Sequence, residues 1–203
     1  MPFPRFLVIS IGNQAPYLES LHSAGHAALS AVQKYLHPAQ PPFTRERYGK
    51  RQCMASSSQL FTFLQSPTMM NNCGPWVGTA WREMLQAHNL EPSQLGLVII
   101  HDELEAAFGR VRTVNWEASP RGHNGLKSIK KCLDGPKQPL DRWKRIAVGI
   151  GRPEERTPDV VSKYVLSNMT PSQKSKIDRE VAPQVASALQ QLHDAWVENS
   201  ESI

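Results

Sequence analysis

The chain has 203 residues and a formal net charge of +5 at pH 7, with a sequence pI near 9.2, so it suits one domain spanning 1–203 and an anionic partner. It holds no run of about 18 apolar residues to cross a membrane, and the apolar start Phe6-Leu7-Val8-Ile9 is too short for a secretory leader. Cys53, Cys73 and Cys132 lack metal-ligand spacing and are odd in number, which favours a reducing, intracellular compartment, the cytoplasm or a mitochondrion.

Arg5 to Ile11 reads as a buried strand, and Ser23 to Leu36 as a helix with Ala24, Ala27, Ala28, Ala31, Val32, Tyr35 and Leu36 on one stripe. A proline-bearing loop, His37 to Pro42, follows, and Leu60 to Leu64 forms a short apolar strand running into Pro67. Asn72 to His88 repeats the helical spacing with Val77, Ala80, Trp81, Met84 and Leu85 facing inward. Leu95 to His101 is continuously apolar, the mark of a central strand covered on both faces. Arg110 to Val114 and Trp143 to Ile150 read as further strands on either side of a helix from Asn124 to Leu133. The last helix starts with Thr170 as cap, Pro171 in its first turn and Gln173 closing a capping box, and Pro183 is expected to break or kink it.

Strands alternating with helices predict a three-layer α/β/α sandwich on a mixed, mostly parallel sheet, with ligands beyond the carboxyl ends of the strands. Asn13, Asn71 and Asp102 each lie just past an expected strand end. His22 enters a helix, where open N–H groups disfavour a charged ring and help keep a neutral base. Asp102, after Val98-Ile99-Ile100-His101, can orient an imidazole and stabilise its cation. Neither a G-x-S-x-G elbow nor a phosphate-loop motif occurs. A His and Asp beside several amides therefore suit hydrolysis of an activated ester by water, the amides of Asn13, Asn71 and Asn124 holding a peptide backbone or the attacking water.

Four segments carry a more specific signal: Ile11-Gly12-Asn13 with Tyr17 and His22, Thr68-Met69-Met70-Asn71, His101-Asp102-Glu103-Leu104 and Gly122-His123-Asn124-Gly125-Leu126. With Gly149-Ile150-Gly151-Arg152-Pro153 and Tyr164-Val165-Leu166, this set resembles the bacterial-type peptidyl-tRNA hydrolases, which cut the ester joining a peptide to its tRNA. The resemblance runs from about Arg5 to Asp178 and implies an α/β sandwich acting as a monomer without metal or organic cofactor. By that resemblance His22 is the base that activates water, Asp102 keeps it basic, and Asn13 helps distinguish peptidyl from free aminoacyl substrates. Tyr17, Met69, Asn71 and Asn124 would line the substrate site. The chain departs from the family in having Asn13-Gln14-Ala15 for Asn-Pro-Gly, Leu21-His22-Ser23 for Arg-His-Asn, and Met69 where Phe is common. Asn115-Trp116-Glu117-Ala118-Ser119-Pro120-Arg121 replaces a glycine-rich stretch.

On the helix after Asn124, Leu126, Ile129 and Leu133 face the core while Lys127, Lys130 and Lys131 project outward. With Arg110, Arg112, Arg121, Lys144 and Arg145 in neighbouring segments, they form an expected tRNA phosphate-binding face. The competing reading is a noncatalytic RNA-binding relative, resembling the plant members that act in splicing; intact His22 and Asp102 argue against it.

Overall fold

Apolar runs form the middle of one seven-stranded sheet because their side chains have no use for water on either face. The computed structural model describes residues 5–133 and 139–201. Its strands are β1 (Arg5–Ser10), β2 (Thr44–Tyr48), β3 (Arg51–Ser57), β4 (Phe61–Gln65), β5 (Leu95–Glu103), β6 (Val111–Asn115) and β7 (Trp143–Gly149). They lie in the order β2-β3-β4-β1-β5-β7-β6. The four central strands β4, β1, β5 and β7 are parallel, and the edges are closed by antiparallel pairing. The carboxyl ends of β1, β4, β5 and β7 therefore open on one rim of the sheet.

The helices are α1 (Ala24–Leu36), α2 (Gly74–Ala87), α3 (Asn124–Leu133), α4 (Pro158–Leu166), α5 (Pro171–Lys176) and α6 (Ala182–Glu201). Alternation along the strands divides the core in two. Val8, Val98, Ile100 and Val148 pack under α1 and α6, while Leu7, Ile9, Leu97 and Ile99 pack under α2 and α3. This is the expected α/β/α arrangement. The stripe on α1 is rotated from its expected position: Leu29 is buried and Tyr35 is 60% exposed, because the helix packs on β5 and α6 through its alanines.

Three elements were not foreseen. β2 and β3 form a hairpin closed by Gly49 and Lys50, both at positive φ, the two-residue turn whose twist suits antiparallel strands. Its polar sequence Thr44-Arg45-Glu46-Arg47-Tyr48 hides it, since an edge strand needs no apolar face. It is seated by α2, where Trp76 donates to the Tyr48 carbonyl at 2.8 Å. The third is α4, too short and too weakly patterned to stand out.

Pro183 does not break the last helix. The interruption lies ahead of it, where residues Ile177–Val181 widen into a π turn and the Ala182 amide reaches back to the Ile177 carbonyl. That extra residue puts Pro183 in the first turn of α6, where its missing N–H is not required. Thr170 and Gln173 close the expected capping box, with the Thr170 hydroxyl accepting the Gln173 amide at 3.2 Å.

Candidate active site

His22 and Asp102 meet because α1 can press onto the ends of two strands. A Cβ at Gly25 would stand 2.7 Å from the Ile100 carbonyl oxygen and 2.8 Å from that of Ile11, so glycine permits the approach. The turn Leu21–Ser23 then delivers His22, held from the far side by the Leu21 amide on the Ser167 carbonyl at 2.9 Å. His22 Nδ1 lies 2.8 Å from Asp102 Oδ2. Asp102 is not past the strand, as expected, but inside β5, which continues to Glu103, and it is only 3% exposed.

The electrostatics follow from that burial. Desolvation alone would push the Asp102 carboxyl up, but the pull of His123 and His22 and a hydrogen bond from each hold it well below the usual carboxylate range. An ionised carboxylate only accepts, so His22 donates through Nδ1–H and keeps Nε2 as its basic nitrogen. Burial opposes charge on His22 too, yet the Coulomb attraction and hydrogen bond of Asp102 outweigh it and raise its pKa above the ordinary imidazole value. This corrects the expectation of a ring kept neutral by a helix terminus: Asp102, not the open amides of α1, dominates. His26, the other histidine of that segment, turns away to Ser10, Oγ to Nδ1 at 2.8 Å, and burial pushes it down to about 4.

Asn13 is buried beside this pair. Its backbone N–H donates to Ser23 Oγ at 3.0 Å, and its Oδ1 accepts the Met70 amide at 3.2 Å, leaving its NH₂ as the free-facing donor end. Ser23, standing where the family has Asn, also donates to the Tyr17 carbonyl at 2.9 Å, so one hydroxyl sets the altered 13–17 loop. Tyr17 and Met69 are 38% and 44% exposed, and Asn71 and Asn124 are exposed as well. The Met70–Asn72 turn is pinned against α3 where Gly125 leaves room, since a Cβ there would meet Met70 Cγ at 2.7 Å.

A cleft of about 480 Å³ extends from His22 and Asp102 past Asn124, Arg112 and Arg121 to Val161 and Val165 of α4. The other expected site residues, Asn13, Tyr17, Met69, Asn71, Lys127, Lys130 and Lys131, lie outside its walls. Two basic residues differ from expectation. Arg145 is buried and donates to the Asn115 and Ala118 carbonyls at 3.3 and 2.9 Å, supporting the loop instead of facing solvent. Lys130 lies over the Trp116 ring at 5.3 Å from its centre. Trp116 explains the lost glycines: it is buried edge-on to Trp143 at 5.3 Å, and Trp143 in turn meets Trp81 at 5.0 Å. Each such contact contributes about 0.5–1.5 kcal/mol beyond area burial.

Sequence reasoning gave no role to His123, whose Nε2 lies 3.1 Å from Asp102 Oδ1. Its place between a turn glycine, Gly122 at positive φ, and a helix start was the available signal, because a side chain there faces open helix amides. Among the described residues, His22, Asp102 and His123 form the group whose ligand-type atoms lie within 4.8 Å of one another. The hydrogen bonds that join them already account for that closeness.

Comparison with known proteins identifies the family and the fold. The peptidyl-tRNA hydrolase family profile matches residues 7–202. The peptidyl-tRNA hydrolase of Methylocella silvestris is 30% identical over 183 residues, covering 90% of this chain and 85% of that protein. That of Saccharomyces cerevisiae is 30% identical over 192 residues, covering 92% and 96%. In fold, the chain resembles the crystal structure of the Acinetobacter baumannii peptidyl-tRNA hydrolase with a TM-score of 0.64 at 22% identity, over 93% of this chain and 94% of that one. With the His22–Asp102 pair at the rim of the predicted sandwich and a family match along nearly its whole length, this chain belongs to the peptidyl-tRNA hydrolase family.

Proposed function

We propose that this chain is an esterase releasing peptide and tRNA from peptidyl-tRNA, with His22 as general base and Asp102 as its partner. The carrying observation is the 2.8 Å bond between His22 Nδ1 and Asp102 Oδ2 at the wall of the cleft. His22 Nε2 takes a proton from water as the water oxygen bonds to the ester carbonyl carbon. The resulting imidazolium is stabilised by Asp102. As the tetrahedral intermediate collapses, the ester C–O bond breaks and the same proton passes to the departing ribose oxygen.

Amide donors serve the oxyanion and the peptide backbone. Asn13 has the orientation for this, since its oxygen is engaged by Met70 and its NH₂ is left to donate. Tyr17, Met69, Asn71 and Asn124 bind the peptidyl end, and Arg112, Arg121, Lys127, Lys130 and Lys131 the tRNA phosphates. In this reading the enzyme works as a monomer without metal or organic cofactor, inside the cell where translation makes its substrate. No helix among the described residues is long and apolar enough to cross a membrane.

Turnover of N-blocked against unblocked aminoacyl-tRNA, with His22→Ala as control, tests chemistry, substrate class and site together. Cleavage of the blocked substrate alone, lost in the variant, is the expected result. Tight binding of structured RNA without turnover in the unaltered protein would favour the noncatalytic reading.

A further inference from the structure

His123 touches the catalytic carboxylate without taking part in the proton transfer just described. It immediately precedes α3, and its carbonyl accepts the Lys127 amide at 3.1 Å, the first bond of that helix. Its ring folds back over the same turn, where Nδ1 accepts the Leu126 amide at 3.3 Å. A nitrogen that accepts carries no hydrogen, so a neutral ring must hold its hydrogen on Nε2. That nitrogen lies 3.1 Å from Asp102 Oδ1. A metal ion at Nε2 would move the hydrogen to Nδ1, against the Leu126 amide, so the ring is set to donate and not to ligate.

His101 secures the other side of the same residue. Its Nδ1 lies 2.6 Å from the Asp102 carbonyl oxygen, which can only accept. Its ring meets that of His123 edge-on, at 5.1 Å and 82°. Asp102 is thus held at both carboxylate oxygens and at its own carbonyl, by three different histidines.

We propose that His123 is a positioning residue: fixed in its Nε2–H tautomer by the first turn of α3, it sets the rotamer of Asp102 and takes a share of its charge. This rests on the reading of His22 as base. A carboxylate serving His22 alone would hold a proton there more firmly, and a protonated ring cannot accept one from water. Sharing Oδ1 with a second hydrogen-bond donor weakens that hold while keeping Oδ2 aimed at His22. The groups facing the pair are Asp102, His101 and Glu103 on β5, His123 and Arg121 before α3, Arg145 on β7, and beyond them Glu105, Arg112 and Arg152 around the cleft. Substitution at His123 leaves all the others in place.

Nitrogen-15 spectra of the histidine rings in the whole protein, near neutral pH, should show His123 with hydrogen on Nε2 and a bare Nδ1; the opposite tautomer overturns the proposal. His123→Asn keeps an oxygen to cap Leu126 but is too short to reach Asp102. Its acid limb in kcat/KM, and the His22 titration read by NMR, should move to higher pH by about half a unit to one unit, a loss of about 3- to 10-fold on the acid side that fades above neutrality. His123→Gln, whose longer amide reaches toward Asp102, should restore the limb part of the way. A folded His123→Asn protein whose limb and His22 titration stay in place, or move to lower pH, overturns the proposal. Should the unaltered protein show no turnover, the reading of His22 as base fails, while the ring spectra and the His22 titration still decide the role of His123.

Discussion

His22 and Asp102 are 80 positions apart in sequence and 2.8 Å apart in space, whereas Lys127 and Lys131 stand one helical turn apart on exposed positions of α3. The first pair is made by tertiary packing around a carboxylate that is 3% exposed. The second is made by local helix geometry and remains in water. The same unit charge does different work in the two places, because a field that water does not screen is several-fold stronger than one at the surface. Substitutions at the buried pair should therefore act on kcat and ignore salt, and those on α3 should act on KM and follow it.

The largest effect expected is that of His22→Ala, which removes the proton acceptor and should lower kcat by about 10³-fold, within the range for general base catalysis. Single-turnover cleavage of N-blocked aminoacyl-tRNA checks it. Asp102→Asn comes next, at about 10²-fold, the lower end of the range for general base catalysis because His22 itself remains, since an amide cannot stabilise the imidazolium and can present a donor to Nδ1. It also makes a pH prediction with a definite sign. In the native protein Asp102 raises the His22 pKa against the opposing effect of burial, so the acid limb of kcat/KM should lie above the ordinary imidazole value of about 6.5. In Asp102→Asn only burial remains, and the limb should fall below that of the native enzyme. A limb that stays put would mean that another group carries it.

A smaller effect tests how the pair is assembled. Gly25→Ala adds a Cβ 2.7 and 2.8 Å from two backbone oxygens, which cannot turn aside as a side chain can. The strain costs about 1–3 kcal/mol, more than the gain of under about 1 kcal/mol from better helix propensity in a first turn. A net loss should lower Tm by about 2–4 °C per kcal/mol and, by lifting α1 from β5, reduce kcat further than the stability loss explains. An unchanged Tm with full activity would show that α1 can shift freely.

Much of this frame was legible in the sequence because burial leaves periodic traces. Leu95 to His101 announced a central strand, and Val77, Ala80, Trp81 and Met84 announced the inner face of α2, all of them buried. The β2–β3 hairpin left no such trace, since an edge strand in which Arg45, Glu46 and Arg47 follow one another reads as a polar loop. His22 and Asp102 could be named as candidates from their positions at element ends, but their shared hydrogen bond depends on the close seating of α1. His123 and Arg145 were illegible for the same reason: what each one does is set by groups 21 and 27–30 residues away. The outward direction of Lys130 failed because Trp116, a residue from another segment, offered it a ring.

The smallest effects belong to that lysine face, and there the contrast with the buried pair can be sharpened within one helix. If about four phosphates are neutralised, affinity should fall with salt at a log–log slope near −3 to −4. Lys127→Ala and Lys131→Ala should each raise KM a few-fold, leave kcat unchanged and make the slope shallower by about one. Lys130→Ala should behave otherwise. Its ammonium lies over Trp116, a contact of about 0.5–1 kcal/mol at an accessible site, so part of its charge is already committed to the loop. The slope should then change by less than for Lys127→Ala, while the 115–121 loop, which lends Arg121 to the cleft, loses some of its anchoring and protease resistance. Equal slopes for all three lysines would mean that tRNA draws Lys130 off the indole, and a flat salt response in the native enzyme would remove α3 from the binding surface altogether.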